Sequence, residues 1–187
     1  ITNCQSGVGQ AYYSFVPTLL IGLEDSTRIY GLGSSLHHAL DTVSVMKPVT
    51  KLSIKAERTG RLPDLMRMAF RTSLAPKNGP VFLGVPRDLL SEVASVEFVG
   101  QEKYLVGKMP TATPEDIDKV ADILLEAKRP VALAGVEVAF CEAAPELIML
   151  AEILGMPVGC SEGNKGIIPE DHPLALGTIG NNGRPYG

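Results

Sequence analysis

Two adjacent histidines, His37 and His38, follow a loop rich in Gly and Ser (Tyr30 to Ser35). An imidazole there could shuttle a proton near neutral pH. The pair also fits loop histidines facing water, or helix-start residues packed on their neighbours. A metal site is not expected, because adjacent side chains point apart on a helix or a strand and no third ligand is near. Arg87 follows an apolar run that ends at Pro86. Ligands of parallel α/β folds gather at the carboxyl ends of strands, so Arg87 could meet a substrate; a solvated Arg paired with Asp88 fits equally. Asn3 opens a helical stretch, where Asn serves readily as a cap. Tyr30 to Leu36 invites a dinucleotide reading that fails: Leu36 stands where a third Gly is needed, and no acidic residue follows at the required distance. His172 lies in Pro-Glu-Asp-His-Pro and reads as part of a rigid turn.

The rest of the composition narrows what surrounds these residues. Hydrophobic residues are 45% and charged residues 20% of the 187, the balance of a globular protein with a real core. Cys4, Cys141 and Cys160 are odd in number and far apart, which argues against a disulfide framework and for a reducing cytoplasm. No apolar run reaches the roughly 18 residues of a membrane helix, and the opening residues lack the basic head of a signal peptide. Basic residues are scattered and Trp is absent, so a nucleic-acid surface is not expected. Residues 1–92 carry 10 Lys and Arg against 7 Asp and Glu, whereas residues 93–187 carry 7 against 14. That shift in sign marks a candidate domain boundary.

The elements that must position these side chains alternate between helix and strand. Asn3 to Phe15 can be helical, and Thr18 to Leu23 suits a strand buried on both faces. A short helical stretch through Val45 precedes a second strand, Val49 to Ile54. Leu62, Leu65, Met66, Ala69 and Phe70 form one stripe of an amphipathic helix, stopped by Asn78-Gly79-Pro80. Val81 to Val85 is a third strand, and Arg87 to Ser91 one short turn. Residues 93–112 show neither period and read as a linker. Thr113-Pro114-Glu115-Asp116 then signals a helix start, and Ile117, Val120, Ala121, Leu124 and Leu125 repeat the stripe. A strand over Pro130 to Ala134, a helix over Glu142 to Leu154 closed by Gly155, and a strand over Met156 to Cys160 complete the pattern. The fold class is α/β, with parallel sheets flanked by helices.

Function enters through resemblance. Ile1-Thr2-Asn3 and the helix and strand after it resemble the end of a Gly-Pro-Gly-x-Thr-Asn segment. Asp41 with Lys47-Pro48-Val49-Thr50-Lys51 resembles Gln-Glu-x-Asp followed by (Arg/Lys)-Pro-x-x-Lys. Asn78 to Asp88 resembles Pro-Gly-Pro-Val-x-(Leu/Ile)-x-(Val/Ile)-Pro-(Arg/Lys)-Asp. Lys128 to Gly135 resembles a first central strand, and Asn164 to Leu174 resembles Gly-Lys-Gly-x-x-Pro-Glu-Asp-His-Pro-Leu. In this order the segments resemble the thiamine-diphosphate (ThDP) enzymes of the acetolactate synthase family, over nearly the whole chain.

The resemblance implies two incomplete domains. Residues 1–92 would be the C-terminal part of the pyrimidine-binding domain, 93–112 a linker, and 113–187 the N-terminal part of the central domain. The chain opens inside a motif and is expected to be an internal piece of a longer protein. The catalytic Glu would lie upstream, and the Gly-Asp-Gly segment that holds Mg²⁺ and the diphosphate downstream. Residues 1–187 by themselves are expected to be inactive. Asn3 would lie beside the cofactor's pyrimidine ring, and His37 or His38 would take the place of a Gln that reaches the active site. Arg87 would stand near the substrate entrance. The implied activity is a ThDP- and Mg²⁺-dependent lyase or carboligase acting on a 2-oxo acid, working as a homodimer or homotetramer in the cytoplasm. FAD fits less well, since Lys77 replaces an Arg and Ala134-Gly135-Val136-Glu137 replaces a Gly-rich turn. A flavin-dependent oxidase of the pyruvate oxidase type and a non-catalytic α/β module are the rival readings.

Overall fold

The computed structural model describes residues 1–29, 40–105, 111–180 and 183; His37 and His38 lie outside them. The chain forms two compact units, Ile1–Met109 and Pro110–Gly187. Each holds a three-stranded parallel sheet, so the expected α/β class with two separate sheets is what the chain adopts.

The first unit contains α1 (Gln5–Tyr13), β1 (Thr18–Glu24), α2 (Thr42–Met46), β2 (Leu52–Lys55), α3 (Leu62–Leu74) and β3 (Pro80–Pro86). The strand order is β1-β3-β2, with Glu24 opposite Pro86 and Ile54 opposite Leu83. Every residue of β3 is buried, as a central parallel strand covered on both faces should be. Val8, Met46 and Phe82 form a core cluster on one face, joined by Leu20 and Val43. β1 departs from expectation: it is not buried on both faces. Gly22 and Glu24 are buried, but Ile21 and Leu23 are 55% and 59% exposed. Leu20 points into that cluster, whereas Ile21 and Leu23 alternate to the opposite face, where no described residue buries them.

Helix α3 follows its predicted stripe except at Phe70, which is exposed, with Pro63 in the first turn and Asp64 at the favourable N-terminal end. The turn after it is closed by side chains. Ser73 Oγ donates to Gly79 O at 2.8 Å, and Lys51 Nζ donates to Ala75 O at 3.1 Å. Burial holds the Lys51 ammonium below its usual pKa. The residues after β3 stay with this unit, because Arg67 Nη2 donates to Glu97 O at 2.9 Å.

The second unit contains α4 (Pro114–Glu126), β4 (Ala132–Ala134), α5 (Val136–Phe140), α6 (Ala144–Leu154), β5 (Val158–Ser161) and β6 (Ala175–Ile179), with strand order β4-β5-β6. Thr113 caps α4 as predicted, accepting from Asp116 N at 3.2 Å. Gly155 ends α6 at φ +57°, a left-handed position natural to Gly. The single helix expected over Glu142 to Leu154 starts instead at Ala144, after a separate α5; the break falls at Glu142, whose φ is +53°. Ala134, Ala151, Val158, Cys160 and Ile168 make the core. Of the α4 stripe only Leu124 packs on that core, while Ile117, Val120 and Leu125 are exposed. Among the described residues no helix is long and apolar enough to cross a membrane.

Candidate functional site

The site begins with strand register. β1 and β3 run parallel with Glu24 beside Pro86, so the residues that follow each strand emerge side by side. Asp25 and Thr27 leave β1 there, and Arg87 and Asp88 leave β3. Ligands of parallel sheets are met at such an end.

Arg87 Nη2 lies 3.0 Å from Asp25 Oδ1, with the Arg side chain 54% exposed and the Asp side chain only 12%. The other carboxylate oxygen, Asp25 Oδ2, is buried with no hydrogen-bond partner among the described residues. Asp88 does not pair with Arg87. It turns to Thr27, accepting from the backbone N at 3.1 Å and from Oγ1 at 2.5 Å. The Thr27 hydroxyl and amide hold its carboxyl down at about 2, because both bonds favour the charged form.

Behind this pair lies a second carboxylate. Glu24 is buried and accepts a short hydrogen bond from the hydroxyl of Thr42, itself buried at the start of α2. Gly84 of β3 makes the room: a Cβ there would come within 3.0 Å of Glu24 Cγ and 3.1 Å of its Oε1. Asp41 caps α2, accepting from Ser44 N at 3.1 Å and from Ser44 Oγ at 2.6 Å, which lowers its pKa.

Asn3 is exposed, in a single 3₁₀ turn (Thr2–Cys4) before α1. It is not the cap of α1, which begins after Cys4 without a side-chain cap. Arg87 stands at the strand end as expected, but paired with Asp25 and not with Asp88. Sequence reasoning missed Asp25, Glu24 and Thr42. The signal available was an acidic pair directly after an apolar run, at the end of a strand where ligands gather.

In the second unit, residues 164–174 lead from β5 to β6, and Ile167 and Ile168 of this stretch are buried in the core. Buried Asn164 donates through Nδ2 to Ser161 Oγ at 2.6 Å, and Lys165 pairs with Glu170 at 3.1 Å. His172 Nδ1 accepts from Leu174 N and its Nε2 lies 3.2 Å from Glu152 Oε1, tying this turn to α6. His172 is a structural residue. A cleft of about 580 Å³ in this unit is lined by Glu142, Asn164 and Lys165, among others. Among the described residues, no three His, Cys, Asp or Glu side chains come together in a way that could hold a metal ion.

Residues 117–187 match the family model described as thiamine pyrophosphate enzyme, central domain. The chain is similar, at 31% identity over 97% of its length, to a Methanocaldococcus jannaschii protein named "Probable acetolactate synthase large subunit". It is 33% identical over 76% of its length to glyoxylate carboligase of Escherichia coli O157:H7. The crystal structure of a thiamin diphosphate-dependent enzyme from Mycobacterium smegmatis superposes with a TM-score of 0.77, at 26% identity over 96% of this chain and 34% of that one. Residues 117–187 are thus those of a thiamine pyrophosphate enzyme central domain, and the chain as a whole is similar to thiamine-diphosphate-dependent enzymes. Among these it is acetolactate synthase-like, in agreement with the resemblance its motifs carry. It spans 31% of the length of the methanococcal relative and 24% of the carboligase.

Proposed function

We propose that these residues serve in a ThDP- and Mg²⁺-dependent lyase or carboligase that acts on a 2-oxo acid. The observation that carries this is similarity over 97% of the chain to a protein named for acetolactate synthesis. Residues 1–92 are then the end of a pyrimidine-binding domain, 93–112 a linker and 113–187 the start of the central domain. The working enzyme is a cytoplasmic homodimer or homotetramer.

Bound ThDP supplies a nucleophilic carbon and an electron sink. Asn3 fits a place beside it, since its exposed amide makes no hydrogen bond among the described residues and can offer both a donor and an acceptor. Arg87 binds the substrate carboxylate through its exposed edge, while Asp25 holds the guanidinium in place. His37 or His38 moves a proton at the substrate. Mg²⁺ does not fit the described residues, so its ligands belong elsewhere in the working enzyme. FAD is not part of the proposal. Glu137 stands exposed in the first turn of α5, directly after Gly135, and its carboxylate would repel a cofactor diphosphate held at that turn.

The test is CO₂ release from pyruvate and glyoxylate by the complete gene product, with ThDP and Mg²⁺ present or removed. Turnover that requires both, without flavin absorbance, is the expected result. Residues 1–187 alone are expected to show no ThDP binding by calorimetry. Cofactor-independent turnover, or a bound flavin needed for activity, would overturn the reading.

A further inference from the structure

A groove of about 430 Å³ lies between α3 and the chain that follows β3, and it includes none of the residues at the β1–β3 strand ends. Four cations line it, Arg61, Arg67, Arg71 and Lys103, against one carboxylate, Asp64. Asp64 is fully engaged: it takes Arg67 Nη1 at 2.6 Å and stands 3.7 Å from Arg61 Nε. Arg67 is spent as well, because its other nitrogen holds the Glu97 carbonyl and so fixes the far wall of the groove. Arg71 and Lys103 have no carboxylate in ion-pair range among the described residues. Like charges gathered around one cavity repel one another and are relieved by an anion. Tyr104 lines the same cavity, which puts an aromatic side chain among the cations.

We propose that this groove binds a phosphorylated small molecule carrying two to three negative charges and a planar group, of the nucleoside di- or triphosphate class. Arg71 and Lys103 take the phosphates, with Arg61 at the rim; an Arg fork meets phosphate oxygens in two parallel bonds. Arg67 positions the wall and does not touch the ligand. The charge count sets the ligand class: three cations remain once the Arg67–Asp64 pair is set aside, and a single neutral group would leave them uncompensated.

The test is calorimetry on the complete gene product, preloaded with ThDP and Mg²⁺ so that the cofactor site does not compete. The probes are ATP, inorganic phosphate and adenosine. ATP is expected to bind, to weaken as salt is raised, and to bind at least tenfold better than phosphate or adenosine. Arg71→Gln and Lys103→Gln should each weaken ATP at least tenfold, while Lys128→Gln, a cation of the second unit, should not. Circular dichroism confirms that each variant is folded; since both residues are exposed, neither substitution should disturb the helix. No ATP binding, equal affinity for ATP and inorganic phosphate, or equal loss in Lys128→Gln would overturn the proposal.

Discussion

Asp25 and Arg87 are 62 positions apart in sequence and 3.0 Å apart in space, because β1 and β3 are neighbours and end at the same level. The Asp side chain is nearly buried and the Arg largely exposed, so the carboxylate acts as the fixed point and the guanidinium as the part left over for a partner. Arg87→Ala should raise KM for the 2-oxo acid about tenfold with kcat little changed, the pattern of lost ground-state binding. It should also cost about 1 kcal/mol of stability, since a charge-assisted bond is lost at a site open to solvent on one side. Steady-state kinetics and urea unfolding check the two halves separately. An unchanged KM would remove Arg87 from the substrate site.

Asp88 predicts a pH effect with a definite sign. Its carboxyl is held at about 2 in the folded chain, below the ordinary 3.8, chiefly by the Thr27 hydroxyl. A carboxylate favoured in the folded state stabilises above its unfolded pKa and loses that contribution as pH falls. Stability should therefore decline between 3.8 and about 2, and Thr27→Val should flatten that part of the curve. Urea midpoints measured across the acid range in both proteins decide it. Asp41 shifts in the same direction through Ser44, so Ser44→Ala is the matching control.

The Glu24–Gly84 contact predicts intolerance to one methyl group. Gly84→Ala would set a Cβ 3.0 Å from Glu24 Cγ and 3.2 Å from Cδ, pushing a buried carboxylate away from Thr42. Overpacking of this kind costs about 1–3 kcal/mol. Gly159→Ala should cost less, although its nearest contact is closer, because the obstructing atom is the flexible tip of Ile179. Thermal melts of the two variants should rank in that order.

His37 and His38 lie beyond the described residues, and their prediction rests on motif position. Replacing the active-site member with Ala should lower turnover about 10²- to 10⁴-fold, the range for a lost acid–base group. Gln, the residue expected there from the resemblance, should cost less than Ala. Stability should barely change in either variant. Unchanged turnover in both alanine variants would return the pair to solvent-facing loop residues.

What could be read along the chain was local. The α3 and α4 helices, the Thr113 cap, the Gly155 stop and the apolar run of β3 depend on residues within a few positions of one another, and each element appears where the pattern places it, although most of the α4 stripe is exposed. The segment motifs were legible for the same reason, and they carried the family. Other features depend on residues far apart in sequence. No periodicity says that β3 inserts between β1 and β2, so none could show that β1 lies at an edge with Ile21 and Leu23 uncovered. The same insertion brings Arg87 to Asp25, sends Asp88 to Thr27 and lays Glu24 over Gly84. Asp41, readable as part of a motif, proved to be a helix cap only once α2 was seen to start beside it. Hydrophobic period reports which face of an element is apolar; which strand lies next to which is decided by long-range packing, and the site's contacts follow from that choice.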